Sequence, residues 1–219
     1  MKIQEIKNFS KPLTVGENQE LLWLVDTIPN GEIILKKNSK LFLIGLIFDG
    51  WEEVRHLEIK AKAIGAKCEI LFFILGKNNS NFSAKIEAYH QALKTQIKAS
   101  LRVALADKSI GNIEGNWKIE KGASGANAYF SHHTLLLSEE AKAKTSPNLE
   151  IKTDDVKAGH SASVGKIDED ALFYLLSRGL DEIDARTLLI EGFFEKDIIN
   201  IPDEKLKNNI REAVKNFLS

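Results

Sequence analysis

Histidine, serine and cysteine are the side chains of this chain best suited to nucleophilic or metal chemistry, and their spacing limits what they can do. Ser131-His132 and Gly159-His160-Ser161 each place a serine beside a histidine. Neighbours on a strand point to opposite faces, so neither pair forms a catalytic dyad through adjacency. There is no Gly-x-Ser-x-Gly elbow. His132-His133 is the one adjacent histidine pair. On a strand one imidazole faces in and the other out, which argues against a shared ion and reads as surface or rim histidines. His160 is flanked by small residues, from Ala158 to Ser163, that let a partner backbone approach closely. On its own it reads as a hydrogen-bonded structural histidine. Cys68 is the single cysteine and reads as a buried or half-buried free thiol before an apolar strand. One cysteine excludes an intrachain disulfide framework, a Cys-x-x-Cys zinc site and a four-thiolate cluster held by this chain alone.

The other candidates are weaker. No phosphate-loop or dinucleotide fingerprint occurs, and Gly122-Ala123-Ser124-Gly125 reads as a turn. Asp154-Asp155 reads as turn acids. Asp168-Glu169-Asp170 suits the positive end of a helix dipole. From the residues alone no catalytic constellation emerges.

Two kinds of element must position these groups. Before about Lys166 the pattern is β. Short apolar runs such as Leu41–Ile44, Ile70–Leu75 and Leu101–Leu105 are separated by Pro29-Asn30-Gly31, Asp49-Gly50 and Gly76–Ser80 turns. Ile113, Gly115, Trp117 and Ile119 alternate with polar residues, as do Ala126, Ala128, Phe130 and His132. No 12-residue amphipathic helix appears between Gly31 and Lys166. Very short strands without helices suit a sandwich, a barrel or a β-solenoid, and periodicity does not choose among them. Leu21–Val25 fits a strand or one helical turn.

After Ile167 the period is helical. Asp168 caps a helix ending before Gly179, and Asp181 starts a second that stops near Gly192. Pro202 opens a third, with Leu206, Ile210, Val214, Phe217 and Leu218 on one face. The charge divides at the same place. Residues 1–166 hold 23 basic and 19 acidic side chains, and residues 167–219 hold 7 and 12. The expected organisation is therefore an N-terminal cap or segment (1–30), a β body (31–166) and a helical module (167–219).

The 219 residues carry a net charge of -1, with 43% hydrophobic and 28% charged side chains. That composition suits an ordinary globular chain and argues against a dedicated nucleic-acid binder. The longest apolar runs are far below the ~20 residues of a membrane helix, so no membrane partner is expected. The start, Met1 to Glu5, lacks the apolar core of a signal peptide, which points to the cytoplasm.

Several segments in order resemble the SufB/SufD family of iron–sulfur cluster assembly. They are Thr134–Ala141, Ser146–Ile151, Asp154–Gly165 and Ile167–Gly179, followed by Ala185-Arg186, Leu188-Leu189 and Glu191-Gly192-Phe193. The match is closer to the SufD side. The resemblance implies a short right-handed parallel β-helix followed by a small helical module. It implies a non-catalytic scaffold that docks a SufC-like ABC-type ATPase through its C-terminal helices. Glu182, Asp184, Glu191, Glu195 and Asp197 would form the polar rim of that module. The strands before the helices would pair with a SufB-like subunit, or with a second copy of this chain. His160 falls on the family's interface histidine, where it would serve as a ligand to a transient iron–sulfur cluster, none being held by this chain alone. Two departures stand out. The family's cysteine before that histidine is Ala158 here, and the chain is about half the usual family length without a clear N-terminal helical domain. They favour an alternative, a β-solenoid interaction protein that has lost cluster work. A carbohydrate-active β-helix enzyme would need clustered carboxylates on one face, and none is apparent. At about 20–25 residues per coil, residues 31–166 would wind about six rungs.

Overall fold

The computed structural model of the chain describes residues 2–6, 9 and 12–218. The remaining part of the expected 1–30 cap, Met1 included, lies outside the described residues. Among the described residues, thirteen strands are followed by three helices. Odd-numbered strands form one parallel sheet, in the order β1 (Lys2–Glu5), β3 (Glu20–Val25), β5 (Lys40–Ile47), β7 (Lys67–Gly76), β9 (Gln96–Leu105), β11 (Ala126–Leu136) and β13 (Val156–Lys166). Even-numbered strands form a second, in the order β2 (Leu13–Val15), β4 (Gly31–Leu35), β6 (Arg55–Ala61), β8 (Asn81–His90), β10 (Ile110–Ile119) and β12 (Lys142–Ile151). The chain alternates between the sheets and climbs one step per turn, which is a parallel β-solenoid.

Residues 31–166 wind five coils, one for each pair from β4/β5 to β12/β13, and not the six expected. Lys40 of β5 stands opposite Lys67 of β7, and Gln96 of β9 stands opposite Asn127 of β11. Both steps exceed the length assumed for a coil. Each coil is longer because its strands run on through polar residues. From β7 onward every strand has 10 or 11 residues, and the apolar runs mark only part of each. The N-terminal turns are narrower, with Glu20 already opposite Lys40. Leu21–Val25 is strand.

In-register stacking puts like side chains above one another. Ile113, Gly115, Trp117 and Ile119 all face the bore, and so do Ala126, Ala128 and Phe130. Gly115 makes room for an aromatic ring, since a Cβ there would lie 2.5 Å from Phe130. At the corner from the even to the odd sheet, left-handed residues stack coil on coil: Asn18, Asn38, Gly65, Lys94 and Gly125. Their amides donate to the next coil, as Asn38 N does to Ile64 O at 3.0 Å and Gly65 N to Leu93 O at 3.1 Å.

A second core lies outside the bore. Leu22, Phe42, Ile44, Leu71, Phe73 and Leu75 on the outer face of the odd sheet pack against the helices. Helix α1 (Glu169–Ser177) is capped by Asp168, whose carboxylate accepts from Ala171 N at 3.0 Å. Asp181 caps α2 (Glu182–Ile198) in the same way, accepting from Asp184 N at 2.9 Å. The second helix does not stop near Gly192. It continues because Phe194 and Ile198 beyond it are buried in the outer core. Asp203 caps α3 (Glu204–Leu218), which buries Ile210, Val214 and Phe217.

Candidate functional site

The last coil has no successor, and its two strands are the C-terminal edges of the sheets, with β1 and β2 at the opposite ends. Their chemistry differs. β12 contains Pro147, which has no N–H to offer, and carries Lys142 and Lys144. These are the features that discourage edge pairing. β13 has eleven residues, no proline, and small residues from Ala158 to Ser163, with lysines only near its ends at 157 and 166. It is the open edge.

His160 sits in the middle of β13. In register it continues the row Trp23, Leu43, Ile70, Ala99, Phe130. The first five members are buried in the bore. His160 is therefore the polar end of an apolar row, on the bore side of the terminal coil. It is exposed, and its imidazole has no hydrogen-bond or ion-pair partner among the described residues. Ala158 ends the neighbouring row of Leu41, Cys68, Ile97 and Ala128. Cys68 lies deep in that row, and burial pushes its thiol well above the ordinary range. It is chemically inert there.

His132 departs from the surface or rim position expected of it. It is 1% exposed, one coil below the open end. Thr145 Oγ1 lies 2.7 Å from its Nδ1 and Thr134 Oγ1 lies 3.1 Å from its Nε2. Two hydroxyls satisfy both ring nitrogens, so a neutral imidazole can be buried. Burial, with a smaller effect of His133, drives its pKa down to about 4. His90 is also lowered to about 4 by burial, but only its Nδ1 has a partner, Thr95, and its Nε2 is buried without one.

His133 faces the other way, as alternation requires. Its Nδ1 is 2.7 Å from Ser163 Oγ and its Nε2 is 3.4 Å from Ser161 Oγ, while Ser161 donates to Ser131 at 3.1 Å. One strand further in, Ser100 and Arg102 both donate to Asp197 of α2, at 2.8 and 2.5 Å. Desolvation, aided by the Arg102 charge, holds His133 below its ordinary pKa. Asp197, whose charge reaches His133, is committed to Arg102 and Ser100.

The helices present a second surface. Phe173, Tyr174, Ile183 and Leu188 are exposed, at 72%, 55%, 77% and 48%. A groove of about 450 Å³ runs between α2 and α3, lined by Leu188, Glu191, Gly192 and Val214. Of the five acids expected on a polar rim, Glu182 and Asp184 are exposed and Glu191 is half-buried. Glu195 accepts from Nε and Nη2 of Arg211, at 2.9 and 2.7 Å. Asp197 turns inward to Arg102 and is buried, because the helix needs one charged contact with the sheet it covers.

The sequence reading passed over His56, Glu58 and Glu87. They converge on the outer face of the even sheet. His56-x-Glu58 is an alternating strand pair, and Glu87 stands opposite Glu58 one coil further on. That spacing carries meaning only once the coil length is known.

The family model for the SufBD core domain of SUF-system FeS cluster assembly matches residues 25–193. The iron–sulfur cluster assembly protein SufD of Bacillus subtilis is 30% identical over 91% of this chain and 41% of its own length. A SufBD family protein of Synechocystis is 27% identical over 94% of this chain and 48% of its own. SufD of Escherichia coli is 33% identical over 50% of this chain and 26% of its own. The chain thus spans less than half the length of these relatives.

Proposed function

Because the chain belongs to the SufBD family of iron–sulfur cluster assembly proteins, we propose that it is a SufD-like, non-catalytic scaffold component of that process. The β13 edge pairs with a SufB-like subunit or with a second copy of the chain. The helical module docks a SufC-like ABC-type ATPase. His160 supplies an imidazole to a cluster that forms transiently where β13 meets its partner, the thiolates coming from that partner.

The observation that carries this reading is the placement of His160. An exposed, unpartnered imidazole ends an apolar row on β13, the strand at the C-terminal edge of the odd sheet. A strand added there would place its own side chains beside His160. Exposed aromatic and aliphatic side chains on α1 and α2 suit a partner's apolar groove. The site would be completed at the interface, since Ala158 offers no ligand.

The test is co-purification with the cognate ATPase and SufB-like protein, followed by iron and sulfide analysis. His160→Ala is expected to leave the complex assembled and to cut its iron and sulfide content at least several-fold. Unchanged cluster content would overturn the role of His160. Ala158 favours a second reading, a solenoid that retains the interface and has lost cluster work, and that unchanged result would support it.

A further inference from the structure

We propose that His56, Glu58 and Glu87 form a binding site for a divalent first-row transition-metal ion on the outer face of the even sheet. Glu58 of β6 and Glu87 of β8 stand directly opposite one another in register. Like charges in that position repel, so the pair requires compensating cations. His56 lies two residues before Glu58 on the same face. Its Nε2 is 2.6 Å from Glu87 Oε2 and 3.8 Å from Glu58 Oε1. The three donor atoms lie within 4.8 Å of one another.

Lysines surround the cluster without filling its centre. Lys60 binds the far oxygen of Glu58, Oε2, at 2.6 Å. Lys85 and Lys118 bind the far oxygen of Glu87, Oε1, at 3.4 and 3.5 Å. The near oxygens, Glu58 Oε1 and Glu87 Oε2, are left facing the imidazole. That division matches a metal site in which outer groups hold each carboxylate to monodentate binding. Glu87 carries the burial, its side chain being 6% exposed. The backbone N–H of His56 donates to Asn30 Oδ1 at 3.1 Å and fixes the start of the strand.

The geometry needs little change. Donors at right angles around an ion at about 2.1 Å are about 3.0 Å apart. His56 and Glu87 would separate by about 0.4 Å, and Glu58 would close on His56 by about 0.8 Å, within reach of a side-chain rotation. The proton on His56 Nε2 leaves to solvent or moves to Nδ1 as the ion takes its place. An open depression of about 690 Å³, lined by Asn30, Glu32, His56 and Glu58, leaves room for water ligands and gives access. One imidazole and two carboxylates suit manganese, ferrous iron, cobalt or zinc better than calcium or copper(I). The site is on the opposite sheet from His160 and from the helices, so it stands or falls independently of the assembly role.

The test is titration of the purified chain with cobalt(II), read by visible ligand-field absorption and by equilibrium dialysis. One equivalent is expected to bind. Affinity should fall at least tenfold in His56→Asn, Glu58→Gln and Glu87→Gln and stay unchanged in Glu139→Gln, an exposed carboxylate outside the cluster. Circular dichroism checks folding, and Glu58→Gln, at a partly exposed position, keeps the test valid should Glu87→Gln not fold. Absence of saturable binding up to millimolar cobalt, or wild-type binding by a folded Glu58→Gln variant, would overturn the proposal.

Discussion

Two histidines in the bore set a pH limit on the fold. His132 and His90 each have a folded pKa of about 4, against an ordinary 6.5. Above 6.5 both folded and unfolded forms are neutral, and neither histidine opposes folding. As pH falls from 6.5 towards 4 the unfolded chain takes up protons that the folded chain refuses. Stability is therefore lost across that window, by roughly 3 kcal/mol for each histidine at its full extent. Urea unfolding at pH 7.5 and pH 5.0 should show it, and His132→Gln should remove about half of the difference. An equal pH dependence in that variant would refute the assignment. The burial of His132 was not legible in the sequence. It depends on Thr145, which the chain brings across only by turning the corner into β12. The exposure of His160 was not legible either: its residues alone suggest a hydrogen-bonded structural histidine, and only the pairing of β13 with β11 puts it at the open end of a row.

Elements were legible where the signal is local. Asp168 and Asp181 fix their helix starts through hydrogen bonds three residues away. The alternation from Ile113 to Ile119 gives a strand and its inner face. Coil length, by contrast, is a property of pairing partners a whole circuit apart, and no local period encodes it. Asp197 shows the same limit, since its partner Arg102 lies 95 residues earlier. Asp197→Ala should leave a buried guanidinium without its anion and cost about 3 to 5 kcal/mol. Chemical denaturation measures it, and a cost below about 1 kcal/mol would show that the ion pair contributes no more than an exposed one. Gly115→Ala should cost about 1–3 kcal/mol by pressing a Cβ against Phe130. Gly165→Ala is the control, because nothing lies within 4 Å of a Cβ there. Equal melting temperatures for the two variants would contradict the packing argument.

At the scale of the molecule, the helices are part of the fold and not a detachable appendage. They share a core with Leu22, Phe42, Ile44 and Phe73 on the outer face of the odd sheet. Removing residues 167–219 should therefore uncover that face and give an aggregating chain that binds a hydrophobic dye, as light scattering and dye fluorescence would report. A monodisperse truncated chain would argue against the shared core. Docking of the ATPase is better tested with Phe173→Asp and Ile183→Asp, whose side chains are already exposed. Loss of capture with an unchanged melting temperature would place the contact there, and capture at wild-type strength would exclude this surface.

The growth in coil spacing along the axis governs how such a chain can change length. In the wide half, one circuit is close to constant: Lys67 stands opposite Gln96, Gln96 opposite Asn127 and Ala126 opposite Val156. Excising the chain from Lys67 up to, but not including, Gln96 would set Gln96 opposite Lys40 and return every later strand in phase. The same cut made slightly longer or shorter would throw all the stacked rows out of alignment. Within the strands of this half, insertions and deletions are thus tolerated only in whole circuits, while the corners absorb the one or two residues by which the circuits already differ. In the narrow half Lys2 stands opposite Leu21 and Glu20 opposite Lys40. Those circuits are much shorter, so the two halves cannot exchange segments.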